Sequence, residues 1–325
     1  MTQLAIGLIG AGRHGSRYAR HIRDDVPGLR LAAFACRDRG AGERHAAALG
    51  CRWYGDYREL IAAPDVEAIV VAVPPTLHLD IVETAAALRR PVLLEKPAAV
   101  TLDDGRRMLH AVRHANLPLM VAHTLRYNAV VRTLLAARAR IGRVHALRLS
   151  QRFEPAVLPW LDDPAIAGGG MLLHTGVHSF DLLRVLSGLE AERVSCELTR
   201  VVTRRLEDNF TAAIRLSDGT TLASVSGSRA TAGRNGAIEL AGEDGQLVAD
   251  HVLHHAVIVR GTTAEPLPLP PPVHTVYAAL QDFAQALRRG APMPITLDDG
   301  LRAVAMAAAC AHAAQTGRTV PVEPV

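Results

Sequence analysis

The stretch Leu4-Ala5-Ile6-Gly7-Leu8-Ile9-Gly10-Ala11-Gly12-Arg13-His14-Gly15 decides how the rest of the chain is read. Residues 4–9 are apolar without alternation, which predicts a strand buried on both faces, as in parallel sheets. Glycines follow at 10, 12 and 15, and a helical pattern continues to about Asp24. Strand, glycine turn and helix in this order form a dinucleotide-binding fingerprint. Gly10 permits the tight turn, Gly12 lets the main chain approach a pyrophosphate, and Gly15 lets the helix lie close to the strand. The N–H groups at the helix start, at Arg13 and His14, face the anion.

A second strand, Leu29–Ala35, ends at Cys36-Arg37-Asp38, where the adenosine ribose of such a ligand lies. A carboxylate at the first of these positions accepts from both ribose hydroxyls and repels a 2′-phosphate. Cys36 is small and neutral instead, and Arg37 offers either a bidentate grip on that phosphate or a stack beside adenine. NADP is favoured. NAD stays open, because a small backbone shift brings Asp38 onto the ribose.

Strands at 66–73, 92–94 and 117–122 follow, alternating with helices that Asp56, Thr76 and Thr101 are placed to cap. This alternation indicates a doubly wound parallel sheet, in which ligands bind beyond the C-terminal strand ends. Gly10 to Gly15, Cys36, Pro74 and Lys96 all fall at such ends. Lys96 is the only lysine among 36 Lys and Arg residues and stands in Glu95-Lys96-Pro97. Where arginine carries nearly all the positive charge, a lone lysine points to a role in proton handling or oxygen polarisation. Arginine-rich usage with one surviving lysine is the plain alternative.

The second half changes texture. Asn128 precedes a helix to about residue 139, and 144–153 alternates as a strand. Trp160, Asp162 and the run Gly168-Gly169-Gly170 lead into a helical pattern from Met171, mildly broken at Gly176. His174, His178 and Asp181 share one face of it. A histidine beside an alcohol carbon suits proton transfer. Hydrogen-bonded packing is the alternative for either histidine, and a metal reading lacks a further ligand. Strands expected at 193–202, 210–216, 220–228, 238–240 and 247–249 make an antiparallel meander. One face covers the Met171 helix and the other is left for solvent or a second copy. Pro266 to Pro272 reads as a rigid loop, followed by helices at 275–288 and 297–316.

At 325 residues two domains are expected, a dinucleotide-binding part at 1–122 and a substrate-binding and oligomerisation part at 123–325, with the last helix returning to the first. The fold class is thus an N-terminal Rossmann doubly wound parallel sheet followed by an α+β domain on a largely antiparallel open sheet. A net charge of +4, interspersed acids and bases and 4% aromatic residues speak against nucleic acid. No apolar run approaches a membrane span. Cys36, Cys51, Cys196 and Cys310 form no close pair and no metal-ligand spacing, and no basic leader precedes the first strand. A cytoplasmic setting is expected, with no metal.

With these residues in place the chain resembles the glucose–fructose oxidoreductase, inositol dehydrogenase and MocA-like family of NAD(P)-dependent oxidoreductases. The likeness spans nearly the whole chain. Its specific elements are Glu95-Lys96-Pro97, Pro74-Pro75-Thr76-Leu77-His78 and the region from Gly168 to Asp181. The resemblance implies that Lys96 contacts the reacting oxygen and that His178 gives or takes its proton. It also places Pro74, Pro75, His78 and Glu95 beside the cofactor, and implies a sugar, cyclic polyol or related substrate. Arg126, Tyr127, Asn128, Trp160 and Asp162 are candidates for the substrate rim, and a homodimer or homotetramer through the C-terminal sheet is expected. One departure stands out: His174 occupies a position where the family commonly has aspartate. It can bind a hydroxyl but supplies no negative charge to His178. Two rivals follow from that departure, a dinucleotide sensor without turnover and a reductase of C=N or C=C bonds in a non-sugar substrate.

Overall fold

Leu4–Ile9 forms β1 in a computed structural model that describes residues 3–10, 12–155 and 158–325. Ala11 of the glycine turn lies outside the described residues. β1 pairs in parallel with β2, Leu29–Ala35, and on its other side with β4, Ala68–Val71. β3, Arg52–Tyr54, flanks β2, while β5, Val92–Leu94, and β6, Leu119–Val121, extend the other side. The order β3-β2-β1-β4-β5-β6 reverses direction between β1 and β4, which makes that point the crevice of a doubly wound sheet. β4, β5 and β6 are buried throughout, as strands covered on both faces must be.

Three helices of the first unit start where short polar side chains satisfy orphan amides. Asp38 accepts from Ala41 N at 2.8 Å, Asp56 from Arg58 N at 2.8 Å and Thr101 from Asp104 N at 3.1 Å. Each such cap is worth about 1 kcal/mol. Thr76 does not open its helix as expected: it lies inside a 3-10 turn, Pro75–Leu77, and the α-helix begins at His78 with Leu77 in the N-cap position. Two successive prolines fix the backbone angle there and push the helix start downstream.

The chain forms two compact units, 1–124 with 274–301 and 125–273 with 302–325. The segment 274–301, which the sequence reading kept in the second part, thus groups with the first. There Val121 N donates to Ile295 O at 3.0 Å, and the His21 ring lies 5.5 Å from that of His274.

The second unit is built on β7, Val144–Arg152, β8, Ala191–Thr199, β9, Asn209–Leu216, β10, Leu222–Ser228, β11, Asn235–Gly242, and β12, Gly245–Asp250. β13, His255–Arg260, β14, Thr263–Pro266, and β15, Val320–Pro321, complete nine strands. Their order is β14-β13-β12-β11-β7-β10-β9-β8-β15. The sheet is mostly antiparallel, but its central pair, β7 with β10, is parallel, so the simple meander expected from sequence needs that correction. The chain leaves β7 through the helical run 172–187 before β8, and such a crossover lets the later strand return parallel. Phe180 of that run packs on Phe210 of β9, with ring centroids 6.1 Å apart.

Candidate active site

In the first unit the strand ends carry the candidate residues. Gly10 has φ +118°, and a Cβ there would stand 2.3 Å from the Ala72 carbonyl oxygen. One on Gly15 would stand 2.1 Å from the carbonyl oxygen of Gly10. Both collisions are with main chain, so no rotamer relieves them. Gly12 differs, since a Cβ on it meets nothing within 4 Å. It is the N-cap of helix Arg13–Arg20, where no side chain caps and no acid sits in the first turn. Open main chain at Gly12 and, among the described residues, no side-chain cap or acid in the helix's first turn fit a pyrophosphate.

Glu95 follows β5 and is buried. Its Oε1 accepts from the Tyr18 hydroxyl at 2.7 Å and lies 2.6 Å from His14 Nε2, while Oε2 accepts from Lys96 N at 3.0 Å. Burial pushes the Glu95 pKa up. The His14 charge and hydrogen bond, the Lys96 charge and the Tyr18 hydroxyl together outweigh burial and hold it at about 2. Glu95 and His14, expected at the cofactor, therefore brace the fingerprint helix against the strand that presents Lys96. Tyr18, which the sequence reading missed, belongs to this group and stands one helical turn after His14. A carboxylate depressed in the folded state stabilises it fully above about pH 4.5, and that contribution is lost as pH falls toward 2. A shift of this size is worth on the order of 3 kcal/mol. Glu95→Gln should lower stability near pH 5 and flatten its decline between pH 4.5 and 2 in urea titrations. An unchanged slope would show that Glu95 does not set it.

His78 is buried, with Nδ1 3.0 Å from Pro97 O and Nε2 3.2 Å from Val73 O, and burial lowers its pKa. It joins the loop after β4, which carries Pro74 and Pro75, to the loop after β5. At the end of β2, the Cys36 carbonyl accepts from Trp53 Nε1 at 3.2 Å, Arg37 is exposed, and the Asp38 carboxylate caps helix Arg39–Leu49.

In the second unit a π-helical turn, Leu172–Gly176, carries His174 and runs into helix Val177–Ser187 with His178 near its start. His174 is buried, its Nε2–H donates to Ala167 O at 3.0 Å, and the Trp160 ring meets it edge-on at 5.6 Å. His178 is half-buried. Asp181 is buried and held in a fork by Arg126, Nε to Oδ2 at 2.8 Å and Nη2 to Oδ1 at 2.5 Å. A metal reading of the His174, His178 and Asp181 trio needs the carboxylate that Arg126 already holds.

Most of the rim candidates have partners within their own unit. Asn128 caps helix Ala129–Ala137 through Val130 N at 2.9 Å and donates from Nδ2 to His251 O at 3.2 Å. Tyr127 is buried, with the Arg132 guanidinium 5.0 Å above its ring. Asp162 accepts from the backbone N–H groups of Arg204, Arg205 and Leu206 at 2.9 to 3.0 Å, and the Leu206 bond leads in lowering its pKa. Glu207, which sequence reasoning did not find, accepts from Gly170 N at 3.1 Å and Leu172 N at 3.2 Å and so secures the start of the histidine-bearing run. Burial raises its pKa.

Comparison with known proteins yields consistent results. Residues 4–123 match a family described as oxidoreductases with an NAD-binding Rossmann fold, and 135–322 match the same family's C-terminal alpha/beta domain. A myo-inositol 2-dehydrogenase of Thermotoga maritima is 26% identical, over 99% of this chain and 99% of the relative. A 1,5-anhydro-D-fructose reductase of Ensifer adhaerens is 32% identical, over 82% of each. A solved levoglucosan dehydrogenase, in complex with NADH and levoglucosan, shares the fold at a TM-score of 0.89 and 23% identity, over 99% of this chain and 100% of the other.

Proposed function

Because the chain belongs to the glucose–fructose oxidoreductase, inositol dehydrogenase and MocA family of oxidoreductases, we propose that it moves hydride between NADP and a secondary carbinol carbon of a sugar, cyclic polyol or related small molecule. The observation that carries this reading is the contact of His14, in the helix after the glycine turn, with Glu95, which follows β5 and precedes Lys96, β1 and β5 both flanking β4 in the parallel sheet of the first unit. The relatives that act on inositol and anhydrofructose support the substrate class.

Gly10, Gly12, Gly15 and the helix start at Arg13 hold the pyrophosphate, with Cys36 and Arg37 at the adenosine end and Pro74 bordering the nicotinamide. The bound nicotinamide supplies a hydride acceptor at its C4. Lys96 stabilises the negative charge that develops on the reacting oxygen, and His178 takes the hydroxyl proton. In the reverse direction His178 returns that proton. His174 positions the run through Ala167 and Trp160. Titrating NADPH and NADH, then screening sugars and polyols with the better-bound cofactor, tests this reading. Nucleotide binding with no turnover across such a panel would favour the sensor.

The preference for NADP rests on Asp38, whose carboxylate is committed to Ala41 N and held to its own helix while Arg37 lies exposed beside it. Arg37→Ala should weaken NADPH by about tenfold or more and NADH little, read by fluorescence titration. Equal losses would sink the assignment. Pairing of copies through the outward face of the nine-stranded sheet is proposed on the small side chains of Ala146, Ala213 and Ala241 and on exposed Leu222. Light scattering reads it directly.

A further inference from the structure

Arg229, just past β10, carries a charge that no carboxylate among the described residues answers. Its backbone N–H donates to Asp208 O at 2.8 Å, and one Nη2–H donates to Thr175 Oγ1 at 2.9 Å. Three nearby arginines of this unit are answered by acids, Arg126 by Asp181, Arg184 by Glu190 and Arg234 by Glu154, whereas Arg152 donates to Gln151 O and Ser226 Oγ. Burial lowers the Arg229 pKa first, and the charge next in effect is that of Arg234, which repels it.

A guanidinium offers five N–H donors in a fixed fork, and a single hydroxyl occupies one of them. A mostly buried cation without a counter-charge is unfavourable unless something anionic arrives to meet it. Position says what arrives. Thr175 is buried on the π-helical turn, three residues before His178, so the Arg229 fork is fastened to the run that carries the proposed acid–base group.

We infer that Arg229 recognises an anionic substituent, a carboxylate or a phosphate, on the substrate. This rests on the function proposed above and narrows it from neutral sugars and polyols to sugar acids or sugar phosphates. The bidentate geometry of a guanidinium suits either oxyanion, whereas a neutral hydroxyl leaves the charge unanswered.

Calorimetric titration of the full chain with D-glucose, D-glucuronate and glucose 6-phosphate, without dinucleotide, tests this. The wild type should bind at least one anion about tenfold or more tighter than glucose, as a charge-assisted pair implies. Preference for glucuronate identifies a carboxylate and preference for glucose 6-phosphate a phosphate. Arg229→Met should erase the advantage of the anions over glucose, while Arg229→Lys should keep part of it. Equal affinity for all three ligands in the wild type overturns the inference. So does a well-folded Arg229→Met, or an Arg229→Lys, that weakens all three alike. NADPH binding, titrated separately, reads the function proposal on its own: its loss with anion preference intact fells that proposal alone, and the converse fells this inference alone.

Discussion

Replacing Lys96 by alanine is expected to lower turnover by at least about a hundredfold, and arginine in its place is expected to restore little. The second half of that expectation is the sharper one. Arginine carries charge nearly everywhere else in this chain, so a site needing only a cation would tolerate it. Lys96 instead offers a compact head with three rotatable donors, able to approach one oxygen atom, where a planar fork is wider and keeps its proton. Its main chain is fixed by the bond from Lys96 N to Glu95 Oε2 at 3.0 Å, so the substitution changes the head and not the strand end. Steady-state turnover at saturating cofactor and substrate measures the loss, and the dissociation constant of NADPH serves as the control. A near-normal rate in the alanine variant would remove Lys96 from the chemistry. A near-normal rate in the arginine variant would reduce its role to charge alone.

Local grammar made the first unit legible. A buried strand, a glycine turn and a helix start are set by neighbours within a dozen residues, and Asp56 and Thr101 cap the helices that follow them as expected. What escaped the reading depends on partners distant in sequence. Arg126 looks like a free binding group until Asp181 folds onto it, and Asp162 looks like one until the amides of residues 204–206 claim its carboxylate. Glu207 and Arg229 carry no local signal, because their importance comes from Gly170, Leu172 and Thr175. The same holds for the sheet. β15 pairs with β8 through only two residues, too few for a periodic pattern, and the parallel pairing of β7 with β10 follows from a crossover that composition does not announce. Polar residue type names a capacity for chemistry, and only the partner decides whether that capacity is left for a ligand.

That distinction separates the two histidines and sets the remaining large effect. His174 is buried, edge-on to Trp160, and its Nε2–H is committed to the Ala167 carbonyl. A ring held this way ties the turn after the glycine run to Ala167 and Trp160. His178 stands one turn further on, half-buried at the start of helix Val177–Ser187. Removing its imidazole should cost at least about a hundredfold in turnover, the usual worth of a positioned acid–base group. The limb of the pH–rate profile set by that base should disappear with it. His178→Asn sharpens the test, because an amide keeps a polar side chain of similar reach but cannot carry the proton. It should fall with the alanine variant while the thermal midpoint and NADPH affinity hold. Turnover near the wild-type rate in either variant would move the proton to another group, and a variant that lost folding and turnover together would give His178 a structural role instead.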